Sequence, residues 1–118
     1  MISKELLGEV INSYDLIAVN TLNQVIYVDD NGSYQNINIH ELANKCKKWA
    51  IVKGYQVSSS KPIVADDEGK QVFNYWWSAY LFKFDGGYES PLLVTKSFNA
   101  ETEPEAIFKA CQWILENK

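Results

Sequence analysis

The chain has 118 residues, 47% of them hydrophobic and 22% charged, and carries a formal net charge of −4. That length suits one domain, the balance excludes a disordered chain, and no apolar run approaches the roughly 18 residues of a membrane span. The basic side chains are 11 lysines with no arginine, which counts against sequence-specific nucleic-acid recognition, because the guanidinium fork grips phosphate and guanine edges.

The first segment, "SKELLGEVIN", predicts a short helix over residues 3–12. Ser3 is its cap, and Leu6, Leu7, Val10 and Ile11 form an apolar stripe, with Gly8 weakening the middle. Glu5 and Glu9 interrupt the apolar residues, so this is not a signal peptide, and a cytoplasmic location is expected. Leu16 to Val19 reads as a first strand. Gln24–Val28 and Tyr34–Ile39 read as the arms of a hairpin around "DDNG", with Asn31 and Gly32 taking the positive φ of a tight turn.

"NINIHELANKCKKWAIVKG" predicts a long helix. Asn38 caps it and Glu41 stands three residues on, as in a capping box. Ile39, Leu42, Ala43, Cys46, Trp49 and Ala50 follow helical spacing, and Gly54 is placed to end the helix. Residues 41–61 hold Lys45, Lys47, Lys48, Lys53 and Lys61 against Glu41 alone, a net +4 within an acidic chain. The candidate basic patch is Lys45, Lys47, Lys48 and Lys53.

Tyr55–Ser59 reads as a short strand, and Pro62–Ala65 leads into "DDEG", another turn. The run "VFNYWWSAYLFKF", Val72 to Phe84, packs seven aromatic rings into thirteen residues. Read as one strand, it shows Phe73, Tyr75, Trp77, Ala79 and Leu81 on one face and Val72, Trp76, Tyr80, Phe82 and Phe84 on the other. Neither face is polar, so the strand is expected to be central, with a bend near Trp76–Ser78. One face must meet helices. The other, with Trp76, Tyr80, Phe82 and Phe84, is core, a protein interface or a ligand platform; Tyr and Trp are enriched at interfaces. After the loop "DGGYESP" comes a strand, Leu92–Phe98, and then "TEPEAIFKACQWILENK" predicts a last helix. Thr102 caps it, Pro104 fits its first turn, Ala106, Ile107, Ala110, Cys111 and Ile114 form its buried face, and Phe108, Trp113 and Leu115 flank that face.

The expected fold is α+β: an antiparallel sheet of about four to six strands with helices on one face, in the order α-β-β-α-β-β-β-α. Residues 1–118 form one domain, with helix and hairpin in 1–39 and helix, meander and final helix in 40–118. Glu41-Lys45-Trp49 and Glu105-Lys109-Trp113 share one spacing, a cap and ion pair beside a Trp at the stripe's edge.

Catalytic chemistry finds little support. His40 is the only histidine, sits near a helix start and lacks an orienting acid or nucleophile. Cys46 and Cys111 are in no CxxC pair and read as buried reduced thiols. The acidic runs at 29–30 and 66–68 are turn residues, without Ca-loop spacing. No phosphate loop, G-x-S-x-G or H-E-x-x-H occurs. The chain is expected not to be an enzyme and to need no metal or cofactor.

From residue 39 onward the order α-β-β-β-α resembles that of double-stranded-RNA-binding domains. Where that family has lysines at its last helix, this chain has Glu101, Glu103 and Glu105, which repel phosphate. "INIHELANKCKKWA" and "AETEPEAIFKACQWILENK" resemble segments of small uncharacterised bacteriophage and prophage proteins, in which a strand runs into a capped helix of the form E-A-x-x-K-A-C-x-W. The two cover about a quarter of the chain. The resemblance implies no catalytic residues; it implies a phage-type accessory protein that acts by binding. The expected function is protein–protein binding that modulates a host factor or defence complex, as anti-CRISPR-type inhibitors do. The alternatives are a nucleic-acid-associated module using the Lys45–Lys53 patch and a structural homodimer. No membrane partner is expected.

Overall fold

A computed structural model describes residues 2–12, 15–19, 23–61, 63–73, 76–83 and 93–117. Its elements run α1 (Lys4–Ile11), β1 (Asp15–Val19), β2 (Gln24–Val28), β3 (Tyr34–Asn38), α2 (Ile39–Val52), β4 (Tyr55–Ser60), β5 (Ile63–Ala65), β6 (Gln71–Phe73), β7 (Trp77–Lys83), β8 (Leu93–Ala100) and α3 (Glu103–Glu116). This is the α+β architecture the sequence predicts, with antiparallel pairing throughout the described ladders. The strands divide among sheets of order β1-β2-β3, β4-β7-β8 and β5-β6.

Each helix is set by its cap and its apolar stripe. Ser3 Oγ accepts the Leu6 N–H at 3.1 Å, Asn38 Oδ1 accepts the His40 N–H at 2.8 Å, and Thr102 Oγ1 accepts the Glu105 N–H at 3.4 Å. These side chains satisfy amides that the first turn leaves unpaired. The buried side of α2 is Ile39, Leu42, Ala43, Cys46, Trp49 and Ala50, as the spacing predicts. α3 buries Pro104, Ala106, Ile107, Phe108, Ala110, Cys111 and Ile114. Phe108 is therefore core rather than flank.

α2 and α3 pack on each other and on the β4-β7-β8 sheet, while α1 bridges them and the β1-β2-β3 sheet through β1. Leu6, Leu7, Leu42, Cys46, Cys111, Ile107, Ile114, Leu81 and Val25 are the largest fully buried side chains, and they belong to one cluster. Ser3 Oγ also donates to Gln112 Oε1 at 2.6 Å, tying the start of α1 to α3.

Two expectations are corrected. The aromatic run is not a single strand. β6 ends at Phe73, β7 begins at Trp77, and the two lie in different sheets, with Trp76 in a bend between them. Pairing is the reason: β6 closes a three-residue hairpin ladder with β5, while β7 pairs with β4 on one side and β8 on the other. The "DDNG" turn is also not one with positive φ at both Asn and Gly. Only Gly32 takes it, at +81°. Gly32 N–H donates to Asp29 O at 3.1 Å and Asp29 N–H to Ser33 O at 2.9 Å, the pattern of a type I turn followed by a bulge residue. "DDEGK" repeats it, with Gly69 N–H to Asp66 O at 3.0 Å and Asp66 N–H to Lys70 O at 2.8 Å. No described helix is long and apolar enough to cross a membrane.

Candidate functional site

The β4-β7-β8 sheet has one face for the helices and another that no described element covers. Alternation along β7 assigns them. Ala79 and Leu81 are fully buried on the helix side. Their ladder partners on β4, Ser59 and Val57, point the same way. Ser78, Tyr80 and Phe82 therefore point to the opposite face. Three rows cross it: Ser60, Ser78 and Asn99; Ser58, Tyr80 and Ser97; Gln56 and Phe82. Tyr80 and Phe82 are half-buried, and Ser78 is buried at 6% exposure. Ser78 Oγ donates to Asn99 Oδ1 at 2.8 Å, which fixes the amide and answers the buried hydroxyl.

These positions carry hydroxyls, amides and two rings, and no charge. Of the four aromatic site residues expected from the sequence, Tyr80 and Phe82 stand on this face. Trp76 lies just before β7 and is 42% exposed. Phe84 lies outside the described residues. The framing residues Ser58, Ser60, Ser78, Ser97 and Asn99 were not singled out from the sequence. Their signal is the alternation in "YQVSSS" and "KSFNA", where polar residues recur at every second position.

The four lysines do not form one patch. Lys45 and Lys48 are exposed on the outer side of α2. Lys47 is half-buried, and its Nζ donates to Ser59 Oγ at 3.1 Å, so it joins α2 to β4. Lys53 follows the helix and places its ammonium 5.9 Å from the Trp49 ring centroid. The helical period turns Lys47 away from Lys45 and Lys48, whereas Lys53 lies just past the end of α2.

The repeated Glu-Lys-Trp spacing also resolves into two different arrangements. Trp49 is 9% exposed, and its indole N–H has no hydrogen-bond partner. Trp113 is half-buried, meets Tyr55 edge-on at 6.1 Å and lies under Lys96 at 5.6 Å. Lys109 Nζ donates to Asn99 O at 2.7 Å. Beside it, a groove of about 360 Å³ runs between α3 and β8, floored by Phe98, Phe108 and Trp113.

Cys46 and Cys111 are free, fully buried thiols that face each other across the α2–α3 contact. Cys111 Sγ donates to Cys46 O at 3.6 Å. Hydrogen bonding with Cys111, then burial, pushes the Cys46 thiol up, which disfavours the nucleophilic thiolate. His40 is exposed. Among the described residues, no three of His, Cys, Asp and Glu come together as metal ligands.

No family model matches the chain, and neither a curated protein nor a solved structure does.

Proposed function

We propose that the chain is a non-enzymatic binding protein that holds a protein partner against the helix-free face of its β4-β7-β8 sheet. The carrying observation is the composition of that face: Tyr80 and Phe82 framed by Ser58, Ser60, Ser78, Ser97, Asn99 and Gln56, without a charged side chain. Tyrosine offers large contact area at low entropic cost, and serine and asparagine offer adaptable hydrogen bonds; protein-binding surfaces combine the two. A phosphate backbone requires cations, and the described residues of this face supply none. The strand geometry is a rigid support for such contacts.

The more specific form is a phage-type accessory protein that modulates a host factor or defence complex, as anti-CRISPR-type inhibitors do. The resemblance of residues 37–50 and 100–118 to phage-encoded proteins supports it. Two reduced buried thiols suit a cytoplasmic setting.

The test is a tagged pull-down from host lysate at low and high salt, with nuclease, using the natural chain and a Tyr80→Ser, Phe82→Ser double variant. A stoichiometric protein retained by the natural chain and lost by the variant supports the reading. Recovery of nucleic acid, a self-complex alone, or a partner indifferent to the variant overturns it.

A further inference from the structure

β3 ends the β1-β2-β3 sheet, and no described strand lies beyond it. Its ladder fixes which backbone groups that edge presents. Ile39 N–H donates to Asn23 O at 2.8 Å and Asp29 N–H to Ser33 O at 2.9 Å, in step with the β2–β3 register. Antiparallel bonding alternates, so Gln35 and Ile37 bond to β2, and the N–H and C=O groups of Tyr34 and Asn36 point away from it. Tyr34, Gln35 and Asn36 are all exposed, Tyr34 at 75%. Edge strands are ordinarily blunted by lysine, proline or a bulge. The opposite edge, β1, has an irregular register between Leu16 and Ala18. On β8, at the edge of the β4-β7-β8 sheet, Lys109 Nζ occupies the Asn99 carbonyl. β3 has no such device: "YQNIN" pairs without a break and carries no proline and no charge. Its ends are also held, by Gln35 Nε2 on Asp29 Oδ2 at 3.0 Å and by the Asn38 cap on α2.

We propose that the free edge of β3 accepts an extended segment of a partner protein as a further strand, with a lysine or arginine of that segment beside the hairpin turn. The backbone selects the class of occupant. The outward N–H and C=O groups of Tyr34 and Asn36 recur roughly 7 Å apart, the repeat of another strand, and main-chain bonds of this kind supply the affinity in strand addition. An edge already held at both ends loses little conformational freedom on pairing. A β-branched side chain opposite Tyr34 gains a cross-strand contact with a ring otherwise in solvent. The sign comes from groups at the edge itself. The turn contributes Asp29 and the exposed Asp30, and residues 29–44 contain no lysine. The same composition argues against a second copy, whose β3 brings no cation to the turn, and against a phosphate backbone. The proposal goes beyond the β4-β7-β8 face and does not rest on it, and its variants leave Tyr80 and Phe82 in place.

The probe is the synthetic peptide Lys-Thr-Val-Thr-Val-Thr-Lys, titrated into the full isotope-labelled chain and followed by amide NMR. The expected result is perturbation centred on β3, with hydrogen exchange slowed at the Tyr34 and Asn36 amides and unchanged at Gln35 and Ile37, which β2 already holds. The same peptide N-methylated throughout keeps its side chains and charge but cannot donate, and does not bind. A version with Glu at both ends binds several-fold more weakly. Asn36→Pro abolishes binding, and since the Asn36 N–H faces the free edge, the β2 ladder survives it. Should that variant unfold, Asn36→Lys serves in its place, with a native amide spectrum as proof of fold. Asp30→Asn weakens binding several-fold and lowers its salt dependence. No binding, shifts centred elsewhere, binding of the methylated peptide, or undiminished binding by the Asn36 variants overturns the proposal. So does equal or tighter binding of the Glu-ended peptide. Concentration-dependent self-association lost in Asn36→Lys makes the occupant a second copy and overturns it too.

Discussion

Asp29 shows how one side chain sets a turn. Its Oδ1 accepts the N–H groups of Asn31 at 3.0 Å and Ser33 at 2.9 Å, and its Oδ2 accepts Gln35 Nε2 at 3.0 Å. The Ser33 bond first, then Gln35, hold its carboxyl below the ordinary 3.8. A depressed folded value means that the carboxylate favours the folded hairpin above pH 3.8, and that this contribution is lost as pH falls through the lower folded value. Carboxyl NMR titration is expected to give a midpoint below the usual aspartate range, with the Ser33 amide moving alongside it. Asp29→Asn should remove that pH dependence while the turn persists, since an amide oxygen still accepts both backbone bonds. Trp49 presents the opposite case, a buried donor with nothing to bond. Leaving such a donor unanswered costs about 1–3 kcal/mol. Trp49→Phe keeps a ring and discards the N–H, so chemical denaturation should show a loss of no more than about 1 kcal/mol. Trp49→Ala should cost about 3–5 kcal/mol. A Trp49→Phe loss equal to that of Trp49→Ala would mean that the N–H is satisfied in solution.

At the scale of elements, α1 has eight residues, too few to persist alone, since isolated helices below about 12–15 residues are marginal in water. It holds because Leu6 and Leu7 enter the core and because Ser3 both caps it and bonds Gln112. Ser3→Ala removes both polar functions at once. We expect a loss of about 1–2 kcal/mol, with hydrogen exchange rising in α1 well before α2 or α3. Uniform acceleration across all three helices would show that α1 opens only with the whole fold. The helices were legible in the sequence because their information is local: a cap and a 3.6-residue stripe, with a following glycine at α2, sit within one window. The aromatic run was not. Asn74 is a single polar residue in an apolar run, too little to mark a break, and the choice of β5 for β6, and of β4 and β8 for β7, depends on residues far along the chain. Alternation nevertheless separated Tyr80 and Phe82 from Ala79 and Leu81 correctly, because period two is a property of any strand whatever its partners. The lysine cluster failed for the converse reason: closeness in sequence placed Lys47 with Lys48, and the helix turned them apart.

For the whole molecule the relevant dimension is its shortest, 20 Å in a body of 54 × 40 × 20 Å. A helix is about 10 Å across and sits about 10 Å from a sheet it packs on, so that thickness admits two layers. One layer of helices leaves one sheet face without a counterpart among the described elements, and β7 therefore has a core side and an outward side. Adjacent residues should then respond in opposite ways to truncation. Leu81 is fully buried against the helices, and Leu81→Ala should cost about 2–5 kcal/mol through lost transfer energy and a cavity. Phe82 is larger but half-buried on the outward side, and Phe82→Ala should cost only about 1 kcal/mol. The order inverts what side-chain size alone predicts. Parallel denaturant titrations of the two variants decide it. If Phe82→Ala proves as damaging as Leu81→Ala, the outward face is packed in the isolated protein and offers no surface to a partner. If the asymmetry holds, Tyr80 and Phe82 are rings that the fold does not need for its own stability, and their place on a rigid central strand calls for a role outside it.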